Sequence, residues 1–67
     1  MIRIVLNGQE RGVEPGLTVE NLLARLELPE ARVAMERNRQ IVPRSRFRSE
    51  PVEAGDRIEV VTLVGGG

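Results

Sequence analysis

A chain of 67 residues suffices for one small domain, and its ten arginines, no lysine and ten acids leave a formal net charge of zero. That balance gives no bulk attraction for a polyanion, so neither nucleic acid nor an anionic membrane surface is expected as a partner. The absence of cysteine and histidine excludes disulfide staples, thiolate sites and imidazole metal centres; only carboxylates and carbonyls remain as metal ligands, and their spacing fits no metal loop.

The amino terminus opens on a strand pattern, with no basic-then-apolar leader. Ile2, Ile4 and Leu6 alternate with Arg3, Val5 and Asn7, a period of two that places one face in a core. Asn7-Gly8 signals a two-residue type I′ hairpin, whose central residues both need φ > 0. The return strand Gln9–Glu14 is polar except for Val13 and suits a sheet edge.

Pro15-Gly16 interrupts the strands. Thr18 reads as a helix N-cap, its hydroxyl free to accept from first-turn amides, with Leu17 and Leu22 forming a hydrophobic staple. Val19, Leu22, Leu23 and Leu26 share one helical face, Glu20 sits at the positive end of the dipole, and the helix is expected to stop near Leu28, before Pro29.

Val33–Arg37 reads as a third strand, Asn38-Arg39 as a turn, and Gln40–Val42 as a short fourth strand ended by Pro43. Arg44–Pro51 is irregular, with one tight helical turn, and holds Phe47, the sole aromatic residue, as a plug for the core edge. Ala54-Gly55-Asp56 makes the last turn. Arg57–Val64 is a long strand with Ile58, Val60, Thr62 and Val64 on one face. The longest apolar stretch, Val60–Val64 with Thr62 inside it, is far too short to span a membrane, and a soluble cytoplasmic protein is expected.

The strands of highest apolar content are the first and last, which favours both for the sheet centre, side by side and parallel. One helix covers one face of the resulting mixed sheet of four or five strands. This α+β arrangement is the β-grasp, the fold of ubiquitin; a small α+β sandwich of another topology is the alternative. Residues 1–64 form the domain and 65–67 a flexible glycine tail.

Six arginines (32, 37, 39, 44, 46, 48) fall between Ala31 and Ser49 against one acid, Glu36. The stretch is either a solvated face and loop or a docking patch for an acidic partner.

No nucleophile–base pair can be assembled, because Ser45 and Ser49 have no histidine, cysteine or lysine to activate them. A single phenylalanine offers no stacking platform for nucleic acid. An enzyme is therefore not expected. Gly65, Gly66 and Gly67 survive the elimination. A glycine arm has no Cβ and enters channels closed to other residues, and three extended residues carry a carboxylate roughly 10 Å beyond the fold. Converted to an acyl-adenylate with ATP, that carboxylate is open to attack by sulfur, giving a thiocarboxylate on a protein handle. A frayed end is the plain alternative.

Asn38-Arg39-Gln40-Ile41-Val42-Pro43-Arg44, the turn Gly55-Asp56 and the ending Val61-Thr62-Leu63-Val64-Gly65-Gly66-Gly67 resemble the sulfur carrier proteins of thiamine biosynthesis, the ThiS family. The likeness runs over the whole chain and includes Asn7-Gly8 and Leu22-Leu23. Ile41-Val42-Pro43-Arg44 separates it from the molybdopterin synthase small subunits. Phe47 departs from the tryptophan common in the family. The resemblance implies that a ThiF-like adenylyltransferase activates the Gly67 carboxylate with MgATP. It implies that a sulfur donor such as a cysteine desulfurase relay supplies sulfur, and that the thiocarboxylate serves a ThiG-like thiazole synthase. Gly66 and Gly67 match the family's functional pair and Gly65 extends the arm. No cofactor is implied on this chain, since nucleotide and metal belong to the activating enzyme.

Val61 and Leu63, facing away from the core, and Val5 on the neighbouring strand are candidates for partner docking beside the tail, against the alternative of ordinary scattered apolar residues. Other roles stay open: a sulfur carrier for tRNA thiolation or molybdopterin synthesis, a ubiquitin-like protein modifier, or a passive binding module using the arginine-rich segment.

Overall fold

The computed structural model describes residues 1–63. Five strands form one sheet: β1 (Ile2–Leu6), β2 (Gln9–Val13), β3 (Val33–Arg37), β4 (Gln40–Ile41) and β5 (Arg57–Thr62), in the order β2-β1-β5-β3-β4. β1 and β5 are adjacent and parallel, and the other pairs are antiparallel. The helix α1 (Val19–Arg25) covers one face. This is the expected β-grasp, with the last strand at the sheet centre. No helix among the described residues is long and apolar enough to cross a membrane.

Local chemistry sets the elements. Asn7 (φ 48°) and Gly8 (φ 81°) both adopt the left-handed conformation that the β1–β2 hairpin requires. Thr18 caps α1 in a reciprocal capping box: its hydroxyl accepts from the Asn21 amide, and the Asn21 side chain accepts from the Thr18 amide. The irregular segment then serves the same helix end. The Val19 amide donates to the Glu50 carbonyl at 2.9 Å and the Glu20 amide to the Phe47 carbonyl at 2.8 Å. The first-turn amides of α1 are therefore satisfied without water. Phe47, Val42 and Val52 come in from this side to join Leu22 and Leu23 of the helix and Ile4, Met35 and Ile58 of the sheet in one core.

Four boundaries differ from the expected ones, the first being β2, which ends at Val13, one residue short of Glu14. The helix ends at Arg25, three residues before Leu28, because the chain turns left-handed at Glu27 (φ 56°). The Glu27 amide then bonds the Ala24 carbonyl and the Leu28 amide bonds the Leu23 carbonyl, a Schellman closure without glycine. β4 stops at Ile41 although Val42 still bonds Met35, because Pro43 has no amide to continue the ladder. β5 ends at Thr62, which is exposed instead of joining the core: β1 has already turned away, and only β3 accompanies the strand that far. Val64 lies outside the described residues.

Candidate functional site

The three glycines named from the sequence, Gly65, Gly66 and Gly67, lie outside the described residues; the segment that launches them does not. β5 runs beyond its parallel neighbour. β1 pairs with it only at Val5–Arg57 and Leu6–Ile58 before the hairpin. The side chain of Asn7 continues the pairing: its Oδ1 accepts from the Val60 amide at 2.8 Å and its Nδ2 donates to the Val60 carbonyl at 3.1 Å. A carboxamide carries one acceptor and one donor group, and so substitutes for a peptide unit of the missing strand.

On the other side, the ladder with β3 closes on one bond, from the Leu63 amide to the Arg32 carbonyl. Arg32 returns nothing to β5, because its own amide donates to the Pro29 carbonyl at 2.9 Å within the 3-10 turn Glu30–Arg32. Among the described residues Leu63 is thus the last one held to the sheet.

The face of the sheet away from α1 is uneven. Val61 and Leu63 are exposed, at 60% and 47%, together with Ile41 at 73%. Ala34 stands directly opposite Val61 in the β3–β5 register, and Ile41 stands opposite Glu36, the next outward residue of β3. Ala34, Ile41 and Val61 share a shallow hollow of about 150 Å³ with Glu36 and Glu59. Glu36 and Glu59 are themselves direct cross-strand partners, a like-charge pairing that weakens a sheet. Val5 does not join this group. It is half-buried opposite Arg57, four residues before Val61 on β5 and hence about 13 Å away along the strand. A larger hollow of about 340 Å³, lined by Ile2, Leu17, Pro51 and Val52 among others, lies at the start of β1. Since β1 and β5 are parallel, it is at the opposite end from Leu63.

Beneath the turn that begins β5 lies a polar hub. The Arg37 guanidinium donates to Asp56 through Nε at 2.6 Å and to Glu50 through Nη1 at 3.1 Å, and it reaches Glu53 at 3.3 Å. Asp56 also accepts from the Glu53 amide at 2.7 Å and from Asn38 Nδ2 at 3.1 Å. Burial pushes the Asp56 carboxyl up, but the bonds from Arg37, the Glu53 amide and Asn38 together hold it below the ordinary carboxylate range. The hub fixes the Gly55-Asp56 turn, and with it the start of the central strand.

Sequence reasoning names Asn7 for the hairpin and Ile41 within a motif, but places neither of them, nor Ala34 or the Glu36–Glu59 pair, in the site. Alternation in β3 and β4 could have placed Ala34 and Ile41 outward, but only the register brings them beside Val61. For Asn7 the hairpin signal was sufficient by itself and concealed the second role.

Comparison with known proteins follows the same outline. The family model described as "ThiS family" matches residues 4–67. The sulfur carrier protein ThiS of Escherichia coli is 35% identical over 66 residues, covering 98% of this chain and 100% of that one. The crystal structure of a thiamine biosynthesis protein (ThiS) from Geobacter metallireducens superposes with a TM-score of 0.83 at 30% identity, over 98% of this chain and 100% of that one. A thiazole synthase of Paramagnetospirillum magneticum is 42% identical over 66 residues, where the chain spans 98% of its own length but 20% of that protein's.

Proposed function

This chain belongs to the ThiS family of sulfur carriers for thiamine biosynthesis, and on that premise we propose that its Gly67 carboxylate is the group that carries the sulfur. A ThiF-like adenylyltransferase joins this carboxylate to AMP with release of pyrophosphate from MgATP. The outer sulfur of a persulfide, from a donor such as a cysteine desulfurase relay, then displaces AMP to give an acyl disulfide. A thiol cleaves its S–S bond, leaving the thiocarboxylate and a new disulfide on the donor side. A ThiG-like thiazole synthase takes the sulfur and returns the carboxylate. The chain is in this scheme a cosubstrate, regenerated each cycle, and Gly66 and Gly65 are the slender arm behind the reacting carbon.

The observation that carries this reading is the extent of the family match, which runs through Gly67 and so includes the glycine ending. The central position of β5 supports it mechanically. A tail rooted in the middle strand is backed by the whole sheet, so the domain is a rigid grip for its partners. A carrier-like segment within a longer protein that is itself called thiazole synthase supports that enzyme as the acceptor. The exposed Val61 and Leu63, joined by Ala34 and Ile41 in place of Val5, form the docking surface beside the root of the arm.

The test is intact mass after incubation with the adenylyltransferase, MgATP and a sulfur source. The full chain gains the difference between sulfur and oxygen, located at Gly67 by fragmentation. A chain lacking Gly66 and Gly67 gains nothing. Sulfur loading of the shortened chain overturns the assignment.

A further inference from the structure

We infer that Arg44 is a positioning residue for the reactive tail, acting through the 3-10 turn that holds Leu63. The inference rests on the carrier reading above for its consequence, but its geometry stands apart from it. Arg44 follows Pro43 at the start of a second 3-10 turn, Arg44–Arg46, and forms no ion pair among the described residues. Its guanidinium instead crosses to the turn before β3. Nε donates to the Glu30 carbonyl at 3.3 Å and Nη2 to the Ala31 carbonyl at 3.1 Å. The next carbonyl along, that of Arg32, accepts the Leu63 amide at 2.6 Å.

Three successive carbonyls of one turn are therefore divided between two tasks. Two are gripped by Arg44, and the third makes the last ladder bond of β5 among the described residues. The turn Glu30–Arg32 buries none of its own side chains and has no side-chain cap, so little else fixes its orientation. A forked, planar donor fits two adjacent carbonyls in a way that a single ammonium does not. Pro43 contributes by presetting the backbone (φ −66°) from which Arg44 departs.

The consequence is a fixed pivot. Gly67 is four residues beyond Leu63, which limits its carboxylate to within about 14 Å of a held point. If the turn loosens, the pivot retreats towards Thr62 and Val61, and the carboxylate samples a larger volume. Docking through Ala34, Ile41 and Val61, which lie within the paired register of β3, β4 and β5, is kept, and only Leu63 of that face is loosened. The fraction of docked complexes with the carboxylate in reacting position falls. Arg44 should then act more on the turnover of adenylation than on affinity.

The experiment compares the full chain with Arg44→Ala and Arg44→Lys, by amide hydrogen exchange and by adenylation kinetics with the activating enzyme. In Arg44→Ala the Leu63 amide is expected to exchange about tenfold faster, with the Val60 and Met35 amides unchanged. The kcat for adenylation is expected to fall about three- to tenfold, with KM changing by less than about twofold and Arg44→Lys in between. Unchanged exchange at Leu63 overturns the inference, as does a rise shared with Val60 and Met35, which marks general loosening. Faster exchange at Leu63 with unaltered kcat overturns the positioning role. Failure of the unaltered chain to be adenylated overturns the carrier reading instead, and Leu63 exchange still decides whether Arg44 holds the turn.

Discussion

The side-chain amide of Asn7 is hydrogen-bonded in both directions to the backbone of Val60, across 53 residues of sequence. One residue thus reverses the chain at the first hairpin and stands in for the strand that the reversal removes. Without it, β5 beyond Ile58 would rely on β3 alone.

Asn7→Gly separates the two roles, since glycine accepts the positive φ but has no side chain to bond Val60. Two partly buried hydrogen bonds at about 0.5–1.5 kcal/mol each give an expected loss of about 1–3 kcal/mol by urea unfolding. The Val60 amide should exchange faster than the amides of β1. A loss confined to the hairpin, with Val60 still protected, contradicts the bridging role.

Glu27 closes α1 with φ 56°, a conformation that costs a residue with a side chain about 1–2 kcal/mol. Glu27→Gly keeps both Schellman bonds and relieves that strain, offset in part by the greater freedom of glycine in the unfolded chain. A net gain of about 0.5–1 kcal/mol is expected, read as a higher unfolding midpoint at unchanged denaturant slope.

Much of this architecture was legible because short-range rules decide it. Alternation in Ile2–Leu6 and at Ile58 and Val60 of the last strand, the Asn7-Gly8 turn and the Thr18 cap are each settled within a few residues. Placing the two apolar strands side by side then needed only burial. What escaped was decided over distance. Val61 lies beside Ala34 and Ile41, and Val5 apart from them, by strand register, which a period of two does not reveal. Arg37 and Arg44 looked like members of one basic stretch. The fold sends the first into a cluster of carboxylates and the second onto backbone carbonyls.

Phe47 is 1% exposed in a chain with no other aromatic residue. Its backbone carbonyl also accepts from the helix amide of Glu20, so side chain and backbone anchor the same junction. Phe47→Ala is expected to cost about 3–5 kcal/mol. A domain of this size is worth only about 3–10 kcal/mol in all. The variant should therefore be largely unfolded at physiological temperature by circular dichroism, whereas Phe47→Leu retains a cooperative transition.

Asp56 supplies an acid-sensitive contribution to stability. Its carboxyl is held below the ordinary value near 3.9 in the folded chain and returns to that value on unfolding. In the interval between the two values the unfolded chain binds more protons, so stability rises with pH there. The contribution is complete above the unfolded value and is lost as pH falls through the folded one. Asp56→Asn removes it. Unfolding free energies of the two proteins should differ most at neutral pH and converge as pH drops below about 4. A difference independent of pH points to lost hydrogen-bond geometry alone.

The exposed face beside Leu63 offers a test of docking apart from chemistry. Val61 is 60% exposed and carries little of the core, so Val61→Glu should unfold within about 0.5 kcal/mol of the unaltered chain. It also adds a third carboxylate next to the Glu36–Glu59 pair. A desolvated charge against an apolar partner surface weakens association by about 2 kcal/mol or more, which is roughly a thirtyfold rise in KM with the adenylyltransferase. The kcat at saturation should change little, because the tail and its pivot are intact. That pattern is the reverse of the one expected for Arg44→Ala. If both variants alter the same kinetic constant to the same extent, surface and pivot are not separate devices, and grip and reach are one function of the same face.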